Sequence, residues 1–124
     1  MNLKEYFEKV KGTGVLSTAD DGGNIDAAIY ARPHIMDDGT AAVIMRDRLS
    51  HTNLQSNPHA VYLFHEDGPG YKGKRLYMTK IREEEDTDLL KSLRRRQYPD
   101  TTGESKFLVF FRIDSERPLV GDND

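Results

Sequence analysis

The feature that most constrains the fold is a series of short apolar runs separated by tight acidic and glycine-rich turns. In the first half of the chain the runs GVLSTAD, IDAAIYARP and AAVIMR are separated by the turns DDGGN and DDGT. Turns this short join antiparallel strands, because parallel strands need a crossover connection of a dozen or more residues. The pattern therefore predicts a meander of three antiparallel strands.

Three further strands are predicted in the second half of the chain. The runs HAVYLFHE, KRLYMTKIRE and KFLVFFRID are rich in β-branched and aromatic residues, and a glycine-rich loop, DGPGYKG, separates the first two. The last run is apolar on both strand faces, so we expect one face to meet the core and the other to meet a partner subunit. Six antiparallel strands hide their edges by closing wholly or partly, which favours a small barrel.

Two helices are predicted to flank this barrel. An N-terminal helix is indicated by apolar residues at i, i+3, i+4 and i+7, namely Leu3, Tyr6, Phe7 and Val10, and we expect Gly12 and Gly14 to end it. A second helix is predicted over 83–98, because it carries acids at its start, from Glu83 to Asp86, and bases at its end.

Length and composition favour a single domain that pairs with a second copy. A chain of 124 residues accommodates one hydrophobic core, so we expect one domain over residues 1–124. The chain is 36% apolar and 31% charged, which is globular but low in apolar residues for a monomer that buries its core alone. We therefore expect an oligomer.

Charge and residue usage count against several classes of function. A net charge of -3 gives no overall attraction to nucleic acid or to anionic membranes, and the basic run from Arg94 to Arg96 is interpreted as a helix end. The chain has no cysteine and no apolar run long enough to span a membrane, so we expect a cytoplasmic protein. No metal site is predicted, because the four histidines lack metal-ligand spacing: His34, His51, His59 and His65.

The stretch MRDRLSHTNLQSNP, residues 45–58, has the composition of an anion-binding junction. Ser50 is a good N-cap for a short helix, and the first N–H groups of a helix lack partners within it. Arg46, Arg48 and His51 can add charge-assisted hydrogen bonds to a phosphate placed there. The alternative is an ordinary polar connection in which Ser50 caps a helix and the arginines are solvated.

The order of elements, together with this junction, resembles the FMN-binding split-barrel family, the pyridoxamine 5'-phosphate oxidase-like superfamily. The similarity is strongest in HTNLQSNPHAVYLF, a polar junction with Asn-Pro before an apolar strand. The resemblance implies a six-stranded antiparallel split barrel with flanking helices, built as a homodimer with FMN at the interface.

The resemblance also implies roles for individual residues. The flavin ring is expected along the second strand and the bend after it, with further contacts from the third strand: Ile29, Tyr30, Ala31, Arg32, Pro33 and His34, then Ile44 and Met45. The phosphate is expected at Arg46, Ser50, His51 and Thr52, and Arg75 is expected to make another flavin contact. No side chain is required as a catalytic acid or base, because FMN itself carries the redox step.

Two classes of function follow from this interpretation. The first is a small FMN-dependent oxidoreductase or electron-transfer protein, whose substrate or redox partner the sequence does not identify. The second is a module that holds flavin, deazaflavin or haem without turnover. A barrel without a ligand that serves protein interaction is a third, simpler alternative.

Overall fold

All of the strands join in one antiparallel sheet. The computed structural model describes residues 1–94 and 104–121. The elements in that part of the chain are α1 (Leu3–Lys9), β1 (Gly12–Ala19), β2 (Ile25–Tyr30), β3 (His34–Ile35), β4 (Ala41–Arg46), α2 (Leu49–Ser56), β5 (His59–Glu66), β6 (Gly73–Glu85), α3 (Asp88–Leu93) and β7 (Lys106–Pro118). The strand order is β2-β1-β5-β6-β7-β4-β3, with antiparallel pairing throughout.

The predicted antiparallel sheet with flanking helices is therefore confirmed, with seven strands among the described residues in place of six. The additional strand is β3, in which His34 and Ile35 pair with Ala42 and Ala41 of β4. A strand of two residues is too short to show the alternation from which strands are predicted.

The acidic turns form because an aspartate at the start of each turn accepts hydrogen bonds from backbone further along it. Asp20 accepts from the Asn24 side-chain amide at 3.0 Å and from the N–H groups of Asn24 and Gly22, each at 2.9 Å, and these bonds hold its pKa below the usual range. Gly23 has a φ of 82°, a left-handed conformation that glycine adopts without steric cost. The turn that joins β1 to β2 is thus specified locally by its sequence.

The N-terminal helix has the predicted buried face, but it does not end at the predicted glycines. Asn2 caps the helix by accepting a hydrogen bond from the Glu5 N–H at 2.9 Å, and the last helical residue is Lys9. Gly12 and Gly14 lie inside β1 instead. A Cβ atom on Gly14 would meet the Tyr62 ring, and one on Gly12 would meet the His65 carbonyl and the Phe64 ring. These glycines allow two aromatic rings to lie against the strand backbone.

The acidic segment predicted to open a helix is the end of a strand. Glu83 to Glu85 continue β6 and pair with β7, with Glu85 opposite Phe107. Helix α3 begins only after Thr87, whose hydroxyl accepts a hydrogen bond from the Leu90 N–H at 3.3 Å. Cross-strand pairing with an apolar strand outweighs the helical preference of the glutamates. Residues 95–98 of the predicted helix lie outside the described residues.

Both faces of β7 are covered by the chain itself, which corrects the expectation that one of them meets a partner. Val109 and Phe111 point into the barrel core together with the aromatic residues Phe7, Tyr62 and Phe64. Phe110 and Leu108 lie on the opposite face, where they pack with Leu90 of α3. The short helix α3 therefore covers the face of β7 on which the sequence predicts a second subunit.

In residues 1–94 and 104–121, no helix is long and apolar enough to cross a membrane.

Candidate functional site

A cleft of about 790 Å³ runs along β2 and ends at the first turn of α2. It is lined by parts of β1, β2 and β4 and by the start of α2: Gly12, Thr13, Gly14, Asp26, Ala28, Ile29, Tyr30, Ala31, Ile44, Met45, Arg46, Arg48, Leu49 and Ser50. The volume lies within the range of sites for small molecules and cofactors. Strand β2 is the outermost strand on this side of the sheet, so one of its edges is not covered by another strand among the described residues.

Two arginines at the end of β4 make one end of the cleft positive. Arg46 is exposed and forms no side-chain hydrogen bond or ion pair within the described residues. Arg48 donates from Nη2 to Glu104 Oε1 at 2.7 Å, so part of its charge is already neutralised. Arg46 is therefore the cation with the greater capacity to bind an anion in the cleft.

The first turn of α2 closes this end of the cleft, but Ser50 is not its N-cap as predicted. The N-cap is Arg48, whose side chain makes no capping bond, and the first helical hydrogen bond runs from the Thr52 N–H to the Arg48 carbonyl at 3.0 Å. The N–H groups of residues 49–51 precede that bond, so they lie outside the helical ladder. Ser50 is the second residue of the helix, and it is buried at 2% exposure.

The side chain of Ser50 instead joins α2 to β2. Its hydroxyl is hydrogen-bonded to the hydroxyl of Tyr30. Burial raises the pKa of Tyr30, and the hydrogen bond with Ser50 acts in the opposite direction. The carbonyl of Tyr30 also accepts a hydrogen bond from the Tyr62 hydroxyl at 3.2 Å. The end of β2 is therefore held in place from two sides.

Seven of the thirteen predicted site residues meet in this cleft: Ile29, Tyr30, Ala31, Ile44, Met45, Arg46 and Ser50. The structure does not bring the other six to its wall. Their ligand contacts, like those of the seven, remain predictions.

Three of these six residues follow β2 and lie toward α1. Arg32 donates to the carbonyls of Val10 and Glu8, at 3.1 and 3.4 Å, at the end of α1. A cation is favoured there by the helix dipole, which accounts for an arginine directly before a proline. Pro33 and His34 line a separate hollow of about 310 Å³.

Thr52 and Arg75 also lie away from the cleft wall. Thr52 is exposed on α2. Arg75 donates from Nε to the carbonyl of Pro118 at 2.9 Å, and its guanidinium also bonds the carbonyl of Gly121. Arg75 therefore holds the segment from Pro118 to Gly121 against β6.

The sixth residue, His51, is buried behind the first turn of α2. Its exposure is 7%, and its ring stacks on Phe107 with the ring centroids 3.8 Å apart. Nδ1 lies 2.9 Å from Asp47 Oδ1, and Nε2 lies 2.8 Å from Glu83 Oε2. With both ring nitrogens occupied by carboxylates, His51 is not positioned to hold a phosphate in the cleft.

Glu83 is the centre of this buried polar group. Burial alone raises the pKa of its carboxyl, but hydrogen bonds from Lys80, His51 and Gln55 outweigh that effect and lower the pKa to about 2. The carboxylate is consequently ionised at neutral pH.

Comparison with solved structures identifies the class of fold. A crystal structure of an FMN-binding protein from Syntrophomonas wolfei subsp. wolfei superposes with a TM-score of 0.75 at 19% sequence identity, covering 96% of this chain and 84% of the other. A protein from Lactobacillus delbrueckii, provisionally assigned as a pyridoxamine 5'-phosphate oxidase, gives a TM-score of 0.69 at 18% identity, with coverage of 94% and 91%. The chain has the split-barrel fold of the pyridoxamine 5'-phosphate oxidase-like proteins.

Split barrels with this architecture hold different cofactors. The structure of a haem binding protein from Mycobacterium smegmatis superposes with a TM-score of 0.63 at 18% identity, covering 100% of this chain and 56% of the other. At the sequence level, no protein-family model and no curated protein matches the chain. The likeness therefore establishes the fold, and it leaves the cofactor of this split barrel open.

The prediction did not include several residues that the split barrel brings to its cleft. Gly12, Thr13 and Gly14 come from β1, and Asp26 and Ala28 lie on the inward face of β2. The alternation in IDAAIY contained a signal for the last two, because Asp26, Ala28 and Tyr30 share one face of a strand. The β1 residues carry no such signal, since their place in the cleft depends on which strand pairs with β2.

Proposed function

We propose that this protein binds FMN and acts as a small flavoprotein oxidoreductase or electron-transfer protein. The observation that carries the proposal is the arrangement at one end of the cleft, where an unpaired arginine and the first turn of a helix lie beside an open strand edge. FMN needs both features, because it joins a phosphate to a flat ring with polar edges. The fold supports the proposal, since a split-barrel neighbour is an FMN-binding protein.

The phosphate end of the cleft fits this ligand. Arg46 offers a guanidinium that can bond two phosphate oxygens, and the N–H groups of residues 49 and 50 offer further donors together with the positive end of the helix dipole. Arg48 can add a contact if it divides its donors between Glu104 and the ligand. His51 and Thr52 are not part of the proposed phosphate site, since neither lines the cleft.

The remaining length of the cleft suits a flat aromatic group. Ile29, Ile44 and Met45 supply apolar surface, and the small side chains of Ala28 and Ala31 let a ring approach the β2 backbone closely. The strand edge offers backbone donors and acceptors for the polar edge of such a ring. Bound FMN supplies the redox chemistry, while the chain binds the cofactor, orients it and excludes water.

The choice of flavin over haem rests on the wall of the cleft. A haem iron is usually held by a histidine, cysteine, methionine or tyrosine ligand. None of the described residues that line the cleft is a histidine, the chain has no cysteine, and Met45 is 1% exposed within the core. Tyr30 does line the cleft, but its side chain is half-buried and engaged by Ser50. Deazaflavin, and binding without turnover, are alternatives that the following experiment separates.

The test is the visible spectrum of the purified protein, followed by titration with FMN and with riboflavin. We expect the spectrum of an oxidised flavin, or its appearance after FMN is added, and tighter binding of FMN than of riboflavin. An oxidoreductase should lose this spectrum on addition of a nicotinamide donor or a reduced partner and regain it in air. A haem spectrum, or no binding of either flavin, would contradict the proposal.

We propose in addition that the protein is a homodimer with its flavin sites at the interface. The outer face of the sheet, away from the core, carries an apolar patch formed by Val15, Ile25, Ile29, Val61, Leu63 and Tyr77. Ile25 and Ile29 are 85% and 76% exposed. Ile29 also lines the cleft, so a second copy that covers this patch would border the cofactor. We expect a second copy of the chain to be the occupant because the patch and the cleft share this residue.

A further inference from the structure

The hydrogen bonds around His51 require a particular protonation state of its ring. Ionised carboxylates only accept hydrogen bonds, and His51 meets one carboxylate at each ring nitrogen. A neutral imidazole has one N–H, so one of the two carboxylates would face a lone pair. The doubly protonated ring is the form that donates to both Asp47 and Glu83.

The position of this group relates it to the cleft. His51 belongs to the first turn of α2, the turn that presents residues 49–50 to the proposed phosphate site. Its ring lies on the other side of that turn and reaches Asp47 before the helix and Glu83 on β6. Gln55, one turn later, donates to the same carboxylate at 3.0 Å and to the His51 carbonyl at 2.9 Å. The start of α2 is thus attached to the barrel through one imidazole and one amide.

The charged groups around the ring set its preferred state. Asp47 and Glu83 carry the negative charges, and Lys80 of β6 pairs with Glu83 Oε1, whereas His51 bonds Glu83 Oε2. Strand β7 contributes the uncharged ring of Phe107, which stacks on the imidazole. Arg48 is directed to Glu104 and to the Asp47 carbonyl. Two carboxylates and one lysine give this group one net negative charge, which a positive charge on the His51 ring balances.

We propose that His51 is a positioning residue for the phosphate site: its doubly protonated ring joins Asp47 and Glu83 and fixes the first turn of α2, without touching the ligand. Loss of one proton breaks one of these two attachments and lets the N–H groups of residues 49 and 50 lose their alignment. This inference rests on the proposed binding of FMN. It gives His51 a different role from the direct phosphate contact expected from the sequence.

The protonation state is tested first in the wild-type protein, by NMR of the ¹⁵N-labelled histidine rings. We expect both ring nitrogens of His51 to show the signature of an N–H group in the folded protein, because each of them faces a carboxylate. The His51 signals are assigned by comparison with His51→Gln, or with Glu83→Gln if the first variant does not fold. A nitrogen with a lone pair at pH 7 would overturn the proposal.

The positioning role is tested by FMN and riboflavin titrations between pH 6 and pH 9. FMN affinity of the wild type should follow the state of the ring that NMR reports, with binding about tenfold tighter for the doubly protonated than for the neutral ring, whereas riboflavin affinity should change much less. Glu83→Gln should move this change in affinity to lower pH, because it removes one of the two charges that stabilise the protonated ring. His51→Gln should bind FMN weakly at every pH. The titration of the FMN phosphate itself cancels in the ratio of wild type to variant.

The matched control is His59→Gln, since His59 is an exposed histidine at the start of β5, away from the cleft. It should retain the wild-type pH profile. FMN binding whose pH dependence is the same in His51→Gln and in the wild type would overturn the positioning role and leave the proposed function intact. Failure of the wild type to bind FMN would overturn the proposed function, and the NMR measurement would still decide the state of the ring.

Discussion

Arg46 and Arg48 are two residues apart, but they differ in what their charges already contact. Arg48 forms an ion pair with Glu104, whereas Arg46 is unpaired within the described part of the chain. An arginine that gives up an existing partner gains less from a ligand than one that had only water. At the scale of single residues, the proposed phosphate site therefore depends mainly on Arg46.

We expect Arg46→Ala to weaken FMN binding by roughly ten- to a hundredfold, which corresponds to about 1.5 to 3 kcal/mol for a lost charge-assisted contact. Riboflavin lacks the phosphate, so its affinity should hardly change. Titration of both ligands by flavin fluorescence measures the difference. Arg112→Ala is the control, because Arg112 is an exposed arginine on β7 that pairs with Asp114. Equal losses for the two ligands would show a general defect rather than a phosphate contact.

At the scale of elements, α3 is small, but it has a defined structural task. Its six residues place Leu90, which is 2% exposed, against Leu108 and Phe110 on the outer side of β7. Without this contact a strand that is apolar on both faces would expose one of them to water. The helix thereby lets the chain carry such a strand without a partner subunit at this position.

Leu90→Ala should lower the free energy of unfolding by about 2 to 5 kcal/mol, the range for a leucine truncated in a core. It should leave the oligomeric state of the folded protein unchanged, because this face is covered within one chain. Denaturant unfolding and light scattering provide the two measurements. Leu89→Ala is the control: Leu89 is 36% exposed on the same helix, so its truncation should cost about 0.5 kcal/mol or less. Dissociation of a dimer in Leu90→Ala would indicate that this face of β7 contacts a partner subunit after all.

The attachment of α2 to β6 should be visible in the acid stability of the protein. The pKa of Glu83 is about 2 in the folded protein, against an ordinary value of 4.5 for a glutamate carboxyl, so its stabilising effect is complete above the higher value. The effect is lost as pH falls from about 4.5 through 2, because in this range the unfolded chain binds a proton on Glu83 that the folded protein does not.

Glu83→Gln should therefore be less stable than the wild type at neutral pH, by on the order of 1 to 3 kcal/mol. Its unfolding free energy should depend less on pH between 4.5 and 2. Denaturant unfolding measured at several pH values checks both statements. Glu85→Gln, at an exposed position two residues later on β6, is the control and should follow the wild-type curve. Parallel curves for wild type and Glu83→Gln in this window would contradict the assignment.

The sequence predicts elements well where the signal is local, and it predicts contacts poorly where they depend on pairing. The turn at Asp20 and the buried stripe of α1 were predicted correctly, because a few neighbouring residues determine them. The placement of Glu83 in a helix was wrong, because its strand conformation depends on β7, more than twenty residues later. His51 shows the same limit within the site. Its imidazole is able to bind a phosphate, but the sequence does not show that Glu83 lies opposite the ring.

At the scale of the whole molecule, the apolar patch on the outer face of β2, β1, β5 and β6 is the surface that we assign to a second subunit. Ile25→Asp should convert the dimer to a monomer, because an unpaired charge in a buried interface is costly. Ile25 does not line the cleft, so the change tests association directly.

Analytical ultracentrifugation at micromolar concentration measures this outcome. Leu89→Asp introduces the same charge at an exposed leucine on α3, away from the patch, and should leave the dimer intact. Weaker FMN binding in the monomeric Ile25→Asp variant would support a flavin site at the interface. A wild-type protein that is monomeric at this concentration would contradict the assignment.

The two glycines of β1 have a consequence for how the sheet finds its pairing. The rings of Tyr62 and Phe64 cross diagonally over Gly14 and Gly12, whereas Leu16 stands directly opposite Tyr62. A slip of two residues in one direction would place Tyr62 over Leu16, and a slip in the other would place Phe64 over Val10. Each misaligned arrangement drives a ring into a side chain, so only the native alignment lets both aromatics lie flat. The paired glycines thus disfavour competing alignments of β1 with β5 during folding.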